Sequence, residues 1–209
     1  MLFGPECSGK STLASALVAH YDGILVSEYL RSYAQDIWDT QKRTVSRQDI
    51  THLIHGQFKA QQQALAKAAT KAKGSAGTKA IEQTRENTEQ ESANHTSPAL
   101  CPIFLDTNIE QLEVYFTHYF GPNWGQIPMH MRRPKGQVLY LLTRPDIPWE
   151  ADDLRDQPLS RDTLFSIFRT YLDQKGARYV VISGAQQERI NQACQFINKT
   201  WPNLYVRQS

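Results

Sequence analysis

The chain has 209 residues, 40% of them hydrophobic and 21% charged, enough apolar material for one domain whose core needs no disulfide or metal staple. A formal net charge of +2 gives no basic face for nucleic acid, and no run approaches the ~20 apolar residues of a membrane span. Cys7, Cys101 and Cys194 show no CxxC or Cys/His ligand spacing, which argues against zinc and for a reducing compartment, most simply the cytoplasm.

The first element in chain order is also the most specific. Gly4-Pro5-Glu6-Cys7-Ser8-Gly9-Lys10-Ser11-Thr12 fits G-x-x-x-x-G-K-[ST], the phosphate-binding loop of P-loop NTPases. Gly4 and Gly9 release the backbone from Cβ restrictions, so that consecutive N–H groups turn inward on an anion. Lys10 offers a compact positive charge to the β- and γ-phosphates, and the Ser11 hydroxyl suits Mg²⁺. The helix that follows, Lys10 to His20, presents its positive end to the same phosphate. Cys7 is either a thiol activated by that helix end or a small loop filler. Only Met1-Leu2-Phe3 precede the loop, so the first strand is expected to be very short.

Ile24-Leu25-Val26 reads as a buried parallel strand ending on Ser27-Glu28, and Tyr29 to Trp38 as a helix. Ser46-Arg47-Gln48-Asp49 resembles a capping box. Behind it Ile50, Leu53, Ile54, Phe58 and Leu65 keep helical spacing to about Ala69. Residues 70–99 turn to Lys, Gln, Glu, Thr, Ser, Asn and Ala with no aromatic, a composition expected to form a disordered insertion, the alternative being a helical extension with a partner. Pro102 to Asp106 is the next strand, and Leu112, Tyr115, Phe116 and Tyr119 mark a helix. A Gly- and Pro-rich loop runs from Gly121 to Gly136. Val138–Leu142 is a strand, residues 143–159 a polar loop, and Ser160 opens a helix. Tyr179–Ile182 and a closing helix complete the chain.

Strands alternating with helices make an α/β fold, a three-layer sandwich around a mostly parallel sheet. Ligands of such sheets collect beyond the carboxyl ends of the strands. There the sequence puts the loop, Glu28, Asp106, Thr143-Arg144 and Ser183-Gly184. Asp106 is either the Walker B carboxylate for Mg²⁺ or an ordinary polar strand end. Glu28 either orients and deprotonates an acceptor hydroxyl or stabilises the helix behind it through the dipole. Trp149-Glu150-Ala151-Asp152-Asp153-Leu154-Arg155, followed by Arg161, reads as a lid. Arg155 and Arg161 suit a transferring phosphoryl group, and Trp149 is either a platform for a flat cationic ring or a core residue.

The segments GPECSGKSTL, VSEYLRSYAQ, PIFLDTN and VLYLLTRPDIPWEADDLR together resemble the ribosylnicotinamide kinase domain of NAD-salvage proteins, a nucleoside-kinase-like P-loop family. The resemblance spans nearly the whole chain outside the polar insertion. It implies transfer of the ATP γ-phosphoryl group to the 5′-hydroxyl of nicotinamide riboside. Gly4 to Thr12 would cradle ATP, Glu28 would meet the ribose, and Tyr29 and Arg31 would shape the acceptor pocket. Trp149, Asp152 and Asp153 would receive the nicotinamide, Arg155 the phosphates, and Gly184-Ala185-Gln186 would lie near adenine. Asn108 stands where relatives carry a second acid, and Cys7 where a serine is usual. The adenylyltransferase and helix-turn-helix parts of larger relatives have no counterpart in the sequence, so neither NAD synthesis nor gene repression is expected. The alternatives left open are a kinase of another nucleoside or nucleotide and a regulatory ATPase of the AAA type. The latter needs sensor and trans-acting arginine elements that cannot be identified here.

Overall fold

The computed structural model describes residues 1–83, 101–134, 136–148, 161–202 and 204. Among them strands and helices alternate: β1 (Leu2–Phe3), α1 (Lys10–Tyr21), β2 (Ile24–Val26), α2 (Tyr29–Gln41), α3 (Ile50–Gln83), β3 (Ile103–Leu105), α4 (Ile109–Phe120), β4 (Tyr140–Thr143), α5 (Arg161–Lys175), β5 (Tyr179–Ile182) and α6 (Gln186–Thr200). All pairings are parallel, which requires the helical crossovers that the alternation supplies. The α/β class and the mostly parallel sheet agree with the sequence.

Strand periodicity sorts the core into layers. Leu2, Leu141 and Ile182 pack with Leu13, Leu17 and Tyr21 of α1 and Ala193 and Ile197 of α6. Their neighbours Phe3, Tyr140 and Leu142 face the other way, against Val114 and Tyr115 of α4 and Leu164, Phe168 and Leu172 of α5. The Phe3 ring meets Phe168 edge-on at 4.9 Å and Tyr140 at 5.3 Å. On the far side α3 lays Ile50, Leu53 and Ile54 against Ile109, Leu112 and Phe116 of α4.

Two expectations change. The single sheet is two hydrogen-bonded pieces, β1-β4-β5 and β2-β3. With only two residues β1 extends one ladder, to β4, and reaches the other piece through side chains. Met1 packs on the cluster of Val26 and Leu105, and the Asn108 amide donates to Met1 Sδ. The second change is in α3, which does not stop near Ala69 but runs to Gln83. The opening part of the segment expected to be a disordered insertion is therefore helical; residues 84–100 lie outside the described ones. Ala and Lys propagate a helix that has already nucleated. Lys71 also ties α3 to the end of α1, its Nζ 2.7 Å from the Asp22 carbonyl and 2.8 Å from the Asp22 carboxylate.

Candidate active site

The loop between β1 and α1 is shaped by local backbone needs. Gly4 has φ 137°, and a Cβ there would come within 2.7 Å of the Thr143 carbonyl oxygen at the end of β4. Gly9, at φ 79°, is the left-handed residue from which α1 starts. Between them Cys7 takes φ 47°, a conformation that costs a non-glycine residue about 1–3 kcal/mol and persists only where its surroundings demand it. The Ser8 hydroxyl donates to the Pro5 carbonyl at 2.6 Å and lies 2.6 Å from Thr143 Oγ1, clamping the loop to β4.

Lys10 is buried, with Nζ donating to the carbonyls of Gly4 at 3.0 Å and Pro5 at 2.6 Å. Burial lowers its pKa, against the opposing pull of Glu28, Asp106 and Glu6. Phosphate oxygens, being charged, are stronger acceptors for that ammonium than peptide carbonyls.

Ser11 Oγ donates to Asp106 Oδ2 at 2.6 Å, joining the start of α1 to the end of β3. The second carboxylate oxygen, Oδ1, is buried with no hydrogen-bond partner among the described residues. A buried carboxylate oxygen left unsatisfied is costly unless something completes it. A hydroxyl beside a carboxylate is a hard oxygen set that fits Mg²⁺, which takes its other positions from water and phosphate. Among the described residues no cluster of three or more His, Cys, Asp or Glu side chains offers another metal site.

Glu28 is the residue from which α2 starts, yet its side chain makes no capping bond. Its pKa is raised, chiefly by burial and further by Asp106, while Lys10, a Thr107 hydrogen bond and Arg31 oppose the shift. A cavity of about 720 Å³ opens beside it. Glu6 to Thr12 line it, together with Trp38, Arg43, Tyr119 and Phe120. Arg31 and Tyr115 also line it. Trp38 and Tyr119 are 39% and 41% exposed and line this space rather than being buried in the core.

Glu6 to Thr12, Glu28 and Arg31 thus share the chamber as the sequence suggested, with Asp106 joined to its floor through Ser11. Two assignments change. Tyr29 does not shape the pocket: it is turned onto α3, its hydroxyl 2.9 Å from His52 Nε2. Asn108 is fully buried as the cap of α4, its Oδ1 accepting from the Gln111 N–H at 2.8 Å, which leaves no group for a substrate. Arg161 reaches the loop, donating to the Cys7 carbonyl at 3.3 Å and that of Ile147 at 3.1 Å. Gly184-Ala185-Gln186 lie beside the loop but do not line the chamber. Arg189 links them to it, donating to the carbonyls of Gly184 at 2.6 Å and Ser8 at 2.9 Å and pairing with Asp146. Trp149, Asp152, Asp153 and Arg155, and with them the expected lid, lie outside the described residues.

The sequence reasoning missed several members. Tyr115, Phe116, Tyr119 and Phe120 of α4 were legible only as a helix face, since aromatic spacing alone does not say whether a ring meets core or cavity. Arg189 acts across a long sequence separation that no motif records. The Arg43 guanidinium, held by Asp49 at 2.8 and 2.9 Å, borders the chamber from a loop with no signature.

The family model described as AAA domain matches residues 1–189, from β1 into α6. No curated protein matches the chain.

Proposed function

The chain belongs to the AAA domain family, a nucleotide-binding P-loop domain, and from that premise we propose that it is an ATP-dependent small-molecule kinase acting on the 5′-hydroxyl of nicotinamide riboside. The observation that carries this is the chamber of about 720 Å³ running from Lys10 and Glu28 to an aromatic wall. Part of that volume is the nucleotide's own, since Glu6 to Thr12 line it; the aromatic residues Trp38, Tyr115 and Tyr119 that line it too suit a flat-ringed nucleoside, which water as nucleophile would not require. The similarity of the four quoted segments to ribosylnicotinamide kinases favours this acceptor over other nucleosides.

ATP supplies the transferable phosphoryl group, with Mg²⁺ sharing its charge. Ser11 and Asp106 would hold the metal, and the loop N–H groups with Lys10 would hold the phosphates. Glu28 orients the acceptor hydroxyl and takes its proton as the oxygen becomes nucleophilic. Its raised pKa moves its proton affinity toward the neutral range where a general base works best. Tyr119 and Trp38 offer ring faces for the acceptor base, and Arg161 stiffens the loop through Cys7.

ADP release tests the proposal, measured with nicotinamide riboside, with common nucleosides and with no acceptor. Release that depends on nicotinamide riboside is the expected result. Equal release without any acceptor would replace the kinase by ATP hydrolysis in a regulatory AAA-type module. That second reading is favoured by the family match itself. Release only with other nucleosides would move the acceptor elsewhere among kinases.

A further inference from the structure

The two carboxylates at the site leave adjacent strands. β2 and β3 are paired in register, Val26 opposite Leu105, and the Asp106 N–H closes the ladder on the Val26 carbonyl at 2.9 Å. Beyond this rung the chains part, one into α2 and the other into α4. Just past the separation, at Tyr29 and Thr107, one N–H and one C=O face each other across a gap that no strand fills. Gln57 of α3 fills it. Its Oε1 accepts from the Tyr29 N–H at 3.0 Å, and its Nε2 donates to the Thr107 carbonyl at 2.9 Å. The residue is completely buried. A side-chain amide carries the same donor and acceptor as a peptide group, so it reproduces the missing rung.

Each end of this bridge lies one residue beyond a carboxylate, Glu28 on one side and Asp106 on the other. Thr107 is held a second time, Gln111 Nε2 donating to its hydroxyl at 3.3 Å, and its side chain is among the groups that lower the Glu28 pKa. The bridge also gives the first N–H of α2 an acceptor, while the Glu28 side chain makes no capping bond and lines the chamber.

We propose that Gln57 is a positioning residue: its amide sets the separation of Glu28 from Asp106 and holds Asp106 against Ser11 in the geometry that accepts Mg²⁺. This rests on the reading of Asp106 as the metal carboxylate, and it requires no particular acceptor.

The test is titration of full-length protein with a fluorescent ATP analogue over a range of Mg²⁺ concentrations, for wild type, Gln57→Leu and Gln57→Glu, with thermal melting as the check on folding. Glutamate keeps the acceptor for Tyr29 but loses the donor for Thr107, so the two halves of the bridge separate. In both variants the Mg²⁺ concentration for half-maximal binding is expected to rise at least about tenfold, the usual effect of losing a group that orients a metal ligand. Affinity for the analogue without metal is expected to stay within about twofold, because the loop and Lys10 are untouched. An unchanged Mg²⁺ requirement in a folded variant would overturn the proposal. Failure of both variants to fold would overturn it too, by making Gln57 a purely structural residue. Absence of acceptor-dependent ADP release in the wild type, with Mg²⁺-linked binding intact, would remove the kinase assignment alone.

Discussion

Lys10, Glu28 and Asp106 crowd one corner, and their surroundings separate their tasks. Lys10 faces carbonyls of its own loop, Asp106 is bonded to the Ser11 hydroxyl, and Glu28, which burial favours in its protonated form, is opposed in that by Lys10, Thr107 and Arg31. Glu28→Gln keeps the shape and removes the base. Nucleotide affinity is expected to stay within about twofold while acceptor-dependent turnover falls about 10²-fold or more. Near-normal turnover would return Glu28 to a helix-dipole role. The pH dependence follows from the raised pKa. The folded protein keeps the Glu28 proton to higher pH than the unfolded chain, so the base form, and with it turnover, arrives above the ordinary carboxylate range. The same linkage makes Glu28 cost stability as pH rises from its unfolded toward its folded pKa, and denaturant titrations of Glu28→Gln against wild type should show that slope flattened. Asp49 has the opposite sign. The Arg43 guanidinium, with the Ser46 N–H and hydroxyl and the Tyr33 hydroxyl, holds its carboxylate well below the usual range. Its contribution is present above the ordinary aspartate pKa and disappears as pH falls toward the folded one. At this scale the sequence was readable where a residue belongs to a contiguous motif or a strand end: it put Lys10, Glu28 and Asp106 at one place, and the three lie together. Tyr29 and Asn108 were misjudged because side-chain direction depends on packing partners, α3 for one and the first turn of α4 for the other.

Among the elements, β1 carries more than its two residues suggest. Leu2 and Phe3 are both fully buried and lie in separate core clusters, so this strand joins the two layers of helices and aims the phosphate-binding loop. Phe3→Ala is expected to cost about 3–5 kcal/mol in urea denaturation, through lost burial and the cavity left beside Phe168 and Tyr140. A loss below about 1 kcal/mol would mean that β1 is dispensable to the core. Hydrophobic periodicity and strand-end polarity made the order of elements legible, and Ser46-Arg47-Gln48-Asp49 announced α3: the Asp49 carboxylate accepts from the Ser46 N–H at 2.8 Å. The far end of α3 was not legible, because low apolar content argues against burial and says nothing against helix propagation through Ala and Lys. Nor was the division of the sheet, which follows from a first strand too short to support ladders on both sides.

At the scale of the whole molecule, every strand among the described residues delivers its carboxyl end to the same side. Gly4 follows β1, Glu28 closes the turn after β2, Asp106 follows β3, Thr143 ends β4 and Gly184 follows β5. Ligands of parallel sheets bind at that rim because the helices there present their N-termini. This convergence was predictable from the alternation of strands and helices. The chamber beside it was not, since its walls come from α2, the loop at Arg43 and α4, whose mutual placement is a tertiary outcome. No described helix is long and apolar enough to cross a membrane. The most direct measurement is equilibrium dialysis of folded protein against labelled ATP, with and without Mg²⁺, beside Lys10→Ala. Retention by the wild type that Mg²⁺ strengthens and Lys10→Ala abolishes is expected; folded wild-type protein that retains no nucleotide in the presence of Mg²⁺ would contradict the assignment of the loop, the metal corner and everything built upon them.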